Sequence, residues 1–348
     1  MKQVLPCSGS RRTPGSQRRV AFPRFVSFPR LVLAALLCLA ATPYGGEALA
    51  AGTMTAMVVA GGTLQAQSLP IPAPGPGEVR IRVRAAGVNP VDWKLAARAP
   101  AGSRQVPGKD VAGIVDAVGS DAGPWKVGEA VVALASGGYA QYALANAAAV
   151  AAKPPGLSFE QAAGIPVVGE TAWRAMVTVA DVRPGQHVLV QGGAGGVGSA
   201  AVQIAKSRGA YVIATASPSH DRLLHSLGAD QIIDYNTVRF EDRVHAVDVV
   251  LNTVNPGIGL RSIGVIRPGG VLVSVVGAPP ADACARAGIR CEQTGHVSGA
   301  YLGAVLQLAA AGKFRVAIDR KLPLADAARA WQLSRAGHVG GKIVLMVP

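Results

Sequence analysis

The hydrophobic and polar positions along this chain follow two different rhythms. Residues 58–83 read as two β segments around a Pro/Gly turn: Pro70, Pro72, Pro74 and Pro76 break any helix, and Glu78-Val79-Arg80-Ile81-Arg82-Val83 then alternates with period two. Short apolar runs at 111–118 and 130–134 follow, punctuated by Gly113, Gly119, Gly123 and Gly128. This half predicts a small, irregular β domain. Residues 158–180 carry helical spacing, with Ser158 as N-cap and Pro154-Pro155-Gly156 as a boundary before it.

Beyond Gln186 apolar strands alternate with helices. Strands are expected at 187–191, 211–214, 231–235, 247–254 and 271–276, with helices at 196–208, 221–227 and near 258–266. Strands this apolar are buried on both faces, as in a parallel sheet covered by helices. After Gly312 the pattern gives strand, helix (324–334) and strand again (342–347), without an internal repeat. The fold class is therefore α/β, a β-rich domain beside a doubly wound parallel sheet.

Composition agrees with two globular domains. Half of the 348 residues are apolar, mean hydropathy is +0.32, and 43 Gly with 24 Pro stay below the low-complexity range. Four cysteines are too few for a disulfide scaffold, and Cys284 and Cys291 read as two ordinary thiols. The net charge of +14 is uneven: seven basic residues and one acid precede Met54, and the remaining +8 is dispersed without Lys/Arg runs. A nucleic-acid footprint needs a dense basic stripe, so that partner class is set aside.

Residues 1–50 have the grammar of an export signal. A basic stretch ends at Arg30, an apolar run covers 31–41, and Ala48-Leu49-Ala50 supplies small residues for cleavage. The run is too short to span a bilayer, and Arg18-Arg19 permits a twin-arginine route. The expectation is an exported, periplasmic protein. If Met54 is instead the true start, the extension to residue 53 is spurious and the protein is cytoplasmic.

The chemistry is concentrated after the first strand of the second half. Val188-Leu189-Val190-Gln191 leads into Gly192-Gly193-Ala194-Gly195-Gly196-Val197-Gly198 and then a helix, so Gly193-x-Gly195-x-x-Gly198 sits in the context a dinucleotide fingerprint requires. Gly193 allows the tight turn, Gly195 lets the backbone approach a diphosphate, and Gly198 permits close helix–strand packing. The helix N-terminus offers free N–H groups to the anion. The next strand ends Ala214-Thr215-Ala216-Ser217 with no acid before Asp221, where an NAD site usually carries one. Ser217, His220 and Arg222 could instead receive a 2′-phosphate, which favours NADP(H).

These motifs resemble the medium-chain dehydrogenase/reductase superfamily, in its zinc-independent, quinone oxidoreductase-like branch. The resemblance is carried by Gly87-Val88-Asn89-Pro90-Val91-Asp92-Trp93-Lys94, Gly108-Lys109-Asp110, Gly169-Glu170-Thr171-Ala172-Trp173, the glycine loop, Arg267-Pro268-Gly269-Gly270 and Gly341-Lys342-Ile343-Val344. It implies a GroES-like catalytic domain (54–178) completed by residues 312–348, with a Rossmann NADP-binding domain (179–311) inserted. It also implies NADPH-dependent hydride transfer to a quinone or an α,β-unsaturated carbonyl, as in enoyl reductase domains.

By the same resemblance Asn89 and Thr171 would lie near the nicotinamide. Gly195, Gly196 and Val197 would hold the diphosphate, and Ser217, His220 and Tyr235 would group around the 2′-phosphate. Val254 and Val276 would follow strand ends on the cofactor side. Zinc-dependent cousins place a Cys near Asn89 and a His-Glu pair at Lys109-Asp110, and neither is present. Relatives often dimerise through a sheet edge, expected here near 271–276. The sequence offers no convincing catalytic acid; Lys94, Tyr139 and His296 are the candidates. The loop 95–107 is short and Ala/Gly-rich, a reduced wall for a substrate pocket. A non-catalytic NADPH-binding module and an alcohol dehydrogenase-like enzyme remain the alternatives.

Overall fold

The computed structural model describes residues 52–100, 102–337 and 339–348. The expected leader lies outside them. No helix of the described residues is long and apolar enough to cross a membrane.

The first half folds from hairpins. Strands β1 (Thr53–Ala60) and β2 (Thr63–Pro70) pair antiparallel around Gly61-Gly62, whose φ angles of +58° and +79° suit a two-residue turn that matches strand twist. The expected single segment before the prolines is thus a hairpin. After the proline stretch come β3 (Glu78–Val88), helix α1 (Pro90–Ala97), β4 (Asp110–Val118), β5 (Ala130–Leu134), β6 (Tyr142–Asn146) and β7 (Val150–Ala152).

Residues 158–180 do not form one helix. Ser158 caps α2 (Phe159–Ala163) in a capping box with Gln161, as its identity suggested. Pro166 then starts α3 (Pro166–Trp173), because proline lacks the amide that a continuous helix would need, and the segment ends in a π-type turn over Arg174–Val179.

The second half builds β8 (His187–Gln191), α4 (Gly196–Ser207), β9 (Tyr211–Ala216), α5 (Asp221–Ser226), β10 (Gln231–Asp234), β11 (Val247–Asn252), α6 (Pro256–Ser262), β12 (Ile266–Ser274), α7 (Ala281–Arg286) and β13 (Arg290–Gln293). All six strands are parallel, in the order β10-β9-β8-β11-β12-β13. That order reverses between β8 and β11, the switch point of a dinucleotide-binding sheet. Side chains of β8 alternate between two cores, Val188 and Val190 on one face and Leu189 on the other, which accounts for the continuous apolar run.

Helix α8 (Leu302–Ala310), β14 (Ile318–Pro323), α9 (Ala327–Ala336) and β15 (Lys342–Met346) carry the chain back. Strand β15 inserts between β14 and β3, giving the order β14-β15-β3-β4-β5-β7, with β6 also paired to β3. One hydrophobic core runs from Ala85, Ala112 and Val132 of this sheet through α2 and α3 to Val188, Val190 and α4. The two sheets therefore share an interior.

Two expectations need correction. Residues 271–276 are not an open edge: β12 is covered by β13, which is the edge strand. Four residues long and largely exposed, β13 carries no apolar run that would have marked it in the sequence. Cys284 and Cys291 are not free thiols but a disulfide joining α7 to β13. Spacing alone could not show that the turn between them brings the two Cα atoms to 6.0 Å.

Candidate functional site

The glycine loop leaves β8 at the switch point. Its conformation is held from below by side chains that the motif does not include. Buried Gln191 accepts a hydrogen bond from Thr215 Oγ1 (2.9 Å), and that same oxygen accepts from the Gly192 amide (3.0 Å). The Gly193 amide donates to the Thr215 carbonyl, and Thr253 Oγ1 donates to the Gln191 carbonyl at 2.7 Å. Three strand ends are thereby fastened to one turn. Sequence reasoning missed Gln191 and Thr215; polar residues ending apolar strands were the available signal.

The glycines differ in what they permit. A Cβ at Gly198 would lie 2.1 Å from the Gly192 carbonyl oxygen, so the helix can approach the strand only with glycine there. A Cβ at Gly195 would meet nothing nearer than 3.5 Å. Gly195 is the N-cap of α4 and provides no side-chain cap. The first-turn amides of that helix, Gly196, Val197 and Gly198, have no helical carbonyl to donate to, which leaves an anion-seeking end.

The carboxyl ends of β9, β10, β11 and β12, with α3, carry the other expected residues. Ser217 follows β9, and its Oγ lies 3.0 Å from His220 Nδ1. Tyr235, after β10, is more than half exposed. Arg222 projects to solvent from α5. Val254 and Val276 follow β11 and β12, where buried Asn252 and Ser274 hold the chain: the Val254 amide donates to Asn252 Oδ1 (3.1 Å) and the Val276 amide to Ser274 Oγ (3.3 Å). Thr171, partly exposed on α3, donates its hydroxyl back to the Val167 carbonyl (2.6 Å).

A buried polar cluster adjoins the loop through the start of β15. Asn89, 1% exposed, accepts from Lys342 Nζ at 2.6 Å through Oδ1 and donates to Asp110 Oδ2 at 2.8 Å through Nδ2. Asp110 also accepts from Lys342 (3.2 Å) and, through Oδ1, from the Val167 amide at the start of α3 (2.8 Å). Asp92 accepts from the Asn89 amide (2.8 Å) and from the Tyr139 hydroxyl (2.9 Å). Burial pushes the Asp92 carboxyl up to about 7, with nearby Asp110 adding to the rise. Asn89 is therefore a framework residue whose amide is already engaged.

Of the candidate acids, one is buried and two are exposed. Tyr139 is fully buried, and burial first, then the Asp92 charge, pushes its phenol well above the ordinary value. Lys94 is exposed on α1 with its ammonium 5.4 Å from the Trp93 ring centre. His296 is exposed in the segment after β13. That segment is clamped to α3: Glu170 Oε2 accepts from the Ser298 (3.2 Å) and Gly299 (3.0 Å) amides, and Arg174 donates to the Thr294 carbonyl. Desolvation raises the Glu170 carboxyl above its usual value.

Comparison with known proteins fits this arrangement. The profile described as "Alcohol dehydrogenase GroES-like domain" matches residues 75–156, and that described as "Zinc-binding dehydrogenase" matches residues 227–345. The chain is 35% identical over 283 residues to the "NADPH-dependent alkenal/one oxidoreductase, chloroplastic" of Arabidopsis thaliana, covering 75% of this chain and 70% of that protein. It superposes on the quinone oxidoreductase from Coxiella burnetii with a TM-score of 0.75 at 31% identity, covering 85% of this chain and 100% of that one. The chain belongs to the medium-chain dehydrogenase/reductase superfamily.

Within that superfamily it groups with quinone oxidoreductase-like members, as its motifs suggested. It also matches a part of a much longer protein: it is 36% identical over 282 residues to the "Spectinabilin polyketide synthase system protein NorB" of Streptomyces orinoci, covering 76% of this chain but only 13% of that one.

Proposed function

We propose that the chain is an NADPH-dependent oxidoreductase that passes hydride to a quinone or an α,β-unsaturated carbonyl without a metal ion. The observation that carries this reading is the open, uncapped N-terminus of α4 at the switch point, with Gly195 facing space that a side chain would enter. The arrangement of Ser217 and His220 after β9, without an acid at the strand end, supports a 2′-phosphate and hence NADP(H). The names of the Arabidopsis and Coxiella relatives support the substrate class.

The glycine cradle fits a dinucleotide diphosphate: the amides of Gly196, Val197 and Gly198 would hold it, with Val254 and Val276 bordering the groove. Bound NADPH would supply the hydride. The chain's part is to orient and to exclude water. Gln191, Thr215 and Thr253 hold the loop, while Asp110 holds Asn89 and the start of α3. Tyr139 is fully buried with its hydroxyl on Asp92, and in this reading the proton that completes an enone reduction comes from solvent.

A zinc ion does not fit the place where zinc-dependent cousins would hold one, near Asn89 and Lys109-Asp110. Lys342 donates to Asn89 Oδ1 and Asp110 Oδ2, and the Val167 amide takes Asp110 Oδ1, so a cation already occupies those donors. Among the described residues no group of three or more His, Cys, Asp or Glu is placed to hold a metal. Residues 54–178 with 312–348 form the catalytic domain in this reading, residues 179–311 the cofactor domain, and β13 the edge available to a second copy.

Steady-state NADPH oxidation with a panel of quinones and 2-enals tests the proposal. Turnover with at least one class, unchanged by a zinc chelator, is expected. NADPH binding without turnover on any member would favour the non-catalytic alternative, and turnover only with alcohols and NADP⁺ would favour the alcohol dehydrogenase.

A further inference from the structure

Lys342 is unusual for a lysine at a strand start. It is 3% exposed, and its ammonium has three oxygen acceptors within reach: the Val88 carbonyl (3.1 Å), Asn89 Oδ1 (2.6 Å) and Asp110 Oδ2 (3.2 Å). All three lie at the end of β3 or the start of β4. Buried lysines are rare because desolvating an ammonium is costly, and a fully partnered one is retained for geometry more readily than for stability.

The stem of Lys342 and the residue before it lie beside the phosphate loop. Gly341 forms a bridge with Gly195, and a Cβ built on Gly196 would lie 3.3 Å from Lys342 Cδ. Gly341 itself passes so close to Ala317 that a Cβ there would lie 2.2 Å from that carbonyl oxygen. The strand start that carries Lys342 is therefore fixed in place. One side chain spans from the diphosphate cradle to the turn bearing Asn89, and Asp110 extends the link to the first turn of α3 through the Val167 amide.

We propose that Lys342 is a positioning residue for hydride transfer. It sets the distance between the loop that grips one end of the cofactor and the Asn89 turn that borders the other, and Asp110 holds its charge in place. This rests on the NADPH reading given above. Lys342 need not touch the cofactor, and its stem and head act on different walls of the same groove. Removing it should leave each wall able to bind its own part of the ligand while their mutual alignment is lost. Chemistry is sensitive to such misplacement more than binding is.

The test uses the full chain and two variants. Lys342→Met with Asp110→Asn removes both charges together, so no lone buried charge remains. Lys342→Arg keeps the charge but replaces a compact ammonium by a planar fork that cannot place three convergent bonds in the same space. It carries the test if the double variant is unfolded by circular dichroism. Two ligands are compared: adenosine 2′,5′-bisphosphate, which engages only the loop and the end of β9, and NADPH. The expected result is a bisphosphate affinity within about twofold of the parent chain and a kcat lowered at least about tenfold. A folded variant that retains kcat within about twofold overturns the proposal, and so does equal weakening of bisphosphate and kcat, which marks a structural role only. If the parent chain binds neither ligand, the NADPH reading itself fails, a result distinguishable from either.

Discussion

Gly195→Asp separates the nucleotide-binding role of the loop from its structural role. The new Cβ is tolerated, since its nearest neighbour is the Gly192 oxygen at 3.5 Å, and Gly195 has φ of −68°, open to any residue. Aspartate is a preferred N-cap, so its carboxylate would bond the first-turn amides of α4 and interact favourably with the helix end. Gly→Asp at such a cap changes stability by only a few tenths of a kcal/mol, and the dipole adds ~0.5 kcal/mol. The variant should fold with a Tm equal to or slightly above the parent. For a diphosphate the outcome is opposite. The amides are occupied, and a like charge about 4 Å away costs about 4 kcal/mol at an effective dielectric of about 20. That corresponds to roughly a thousandfold loss of NADPH affinity. Isothermal titration calorimetry with NADPH, alongside thermal unfolding, reads both quantities. Unchanged affinity, or a variant that is unfolded, would refute the reasoning. Gly198→Ala supplies the contrast: its Cβ falls 2.1 Å from the Gly192 oxygen, so it should lower Tm before any ligand is added.

Three further outcomes follow from named contacts. The Asp92 carboxyl, raised by burial to about 7, ionises later in the folded chain than in the unfolded one, so folding takes up a proton between about pH 4 and pH 7. Stability contributed by the protonated group is lost as pH rises through about 7; Asp92→Asn should remove that part of the slope in urea unfolding at pH 5 and 8, and an unchanged slope would contradict it. The Cys284–Cys291 bridge closes a short loop, with a sequence separation of 7. Loop entropy gives it about 2–3 kcal/mol, so Cys284→Ser/Cys291→Ser should lower Tm, and identical melting with and without dithiothreitol would rule this out. Glu170→Ala strips the acceptor from the Ser298 and Gly299 amides and should cost about 2–3 kcal/mol, whereas Glu170→Gln should retain most of it; equal loss in both would show that the carboxylate's charge matters instead.

Much of the architecture was legible because periodicity reports burial. The apolar runs of β8, β9, β11 and β12 marked a sheet covered on both faces, and the glycine pattern marked the turn between β8 and α4. Short elements with mixed exposure were not legible. Strand β13 alternates little and buries almost nothing, so its position as the sheet edge depends on tertiary pairing alone. The division at Pro166 was written in the sequence, but the helical spacing on either side masked it.

The site was legible at the loop and obscure behind it. Gly193, Gly195 and Gly198 announce their roles because backbone geometry demands glycine. Asn89, Asp110 and Lys342 stand far apart in the chain, and only the pairing of β15 with β3 and of β3 with β4 brings them within hydrogen-bond distance. Tyr139 looked available as an acid because sequence cannot show that its hydroxyl is turned inward onto Asp92.

Hydride transfer itself can be followed by label. NADPH carrying deuterium at C4, prepared separately as each of its two stereoisomers, is incubated with the chain and a 2-enal, and the reduced product is examined by mass spectrometry. The account predicts one deuterium at the carbon β to the carbonyl from one stereoisomer and none from the other, with the α proton drawn from solvent. Product lacking label from both stereoisomers, or no turnover of either a 2-enal or a quinone beside confirmed NADPH binding, would contradict it.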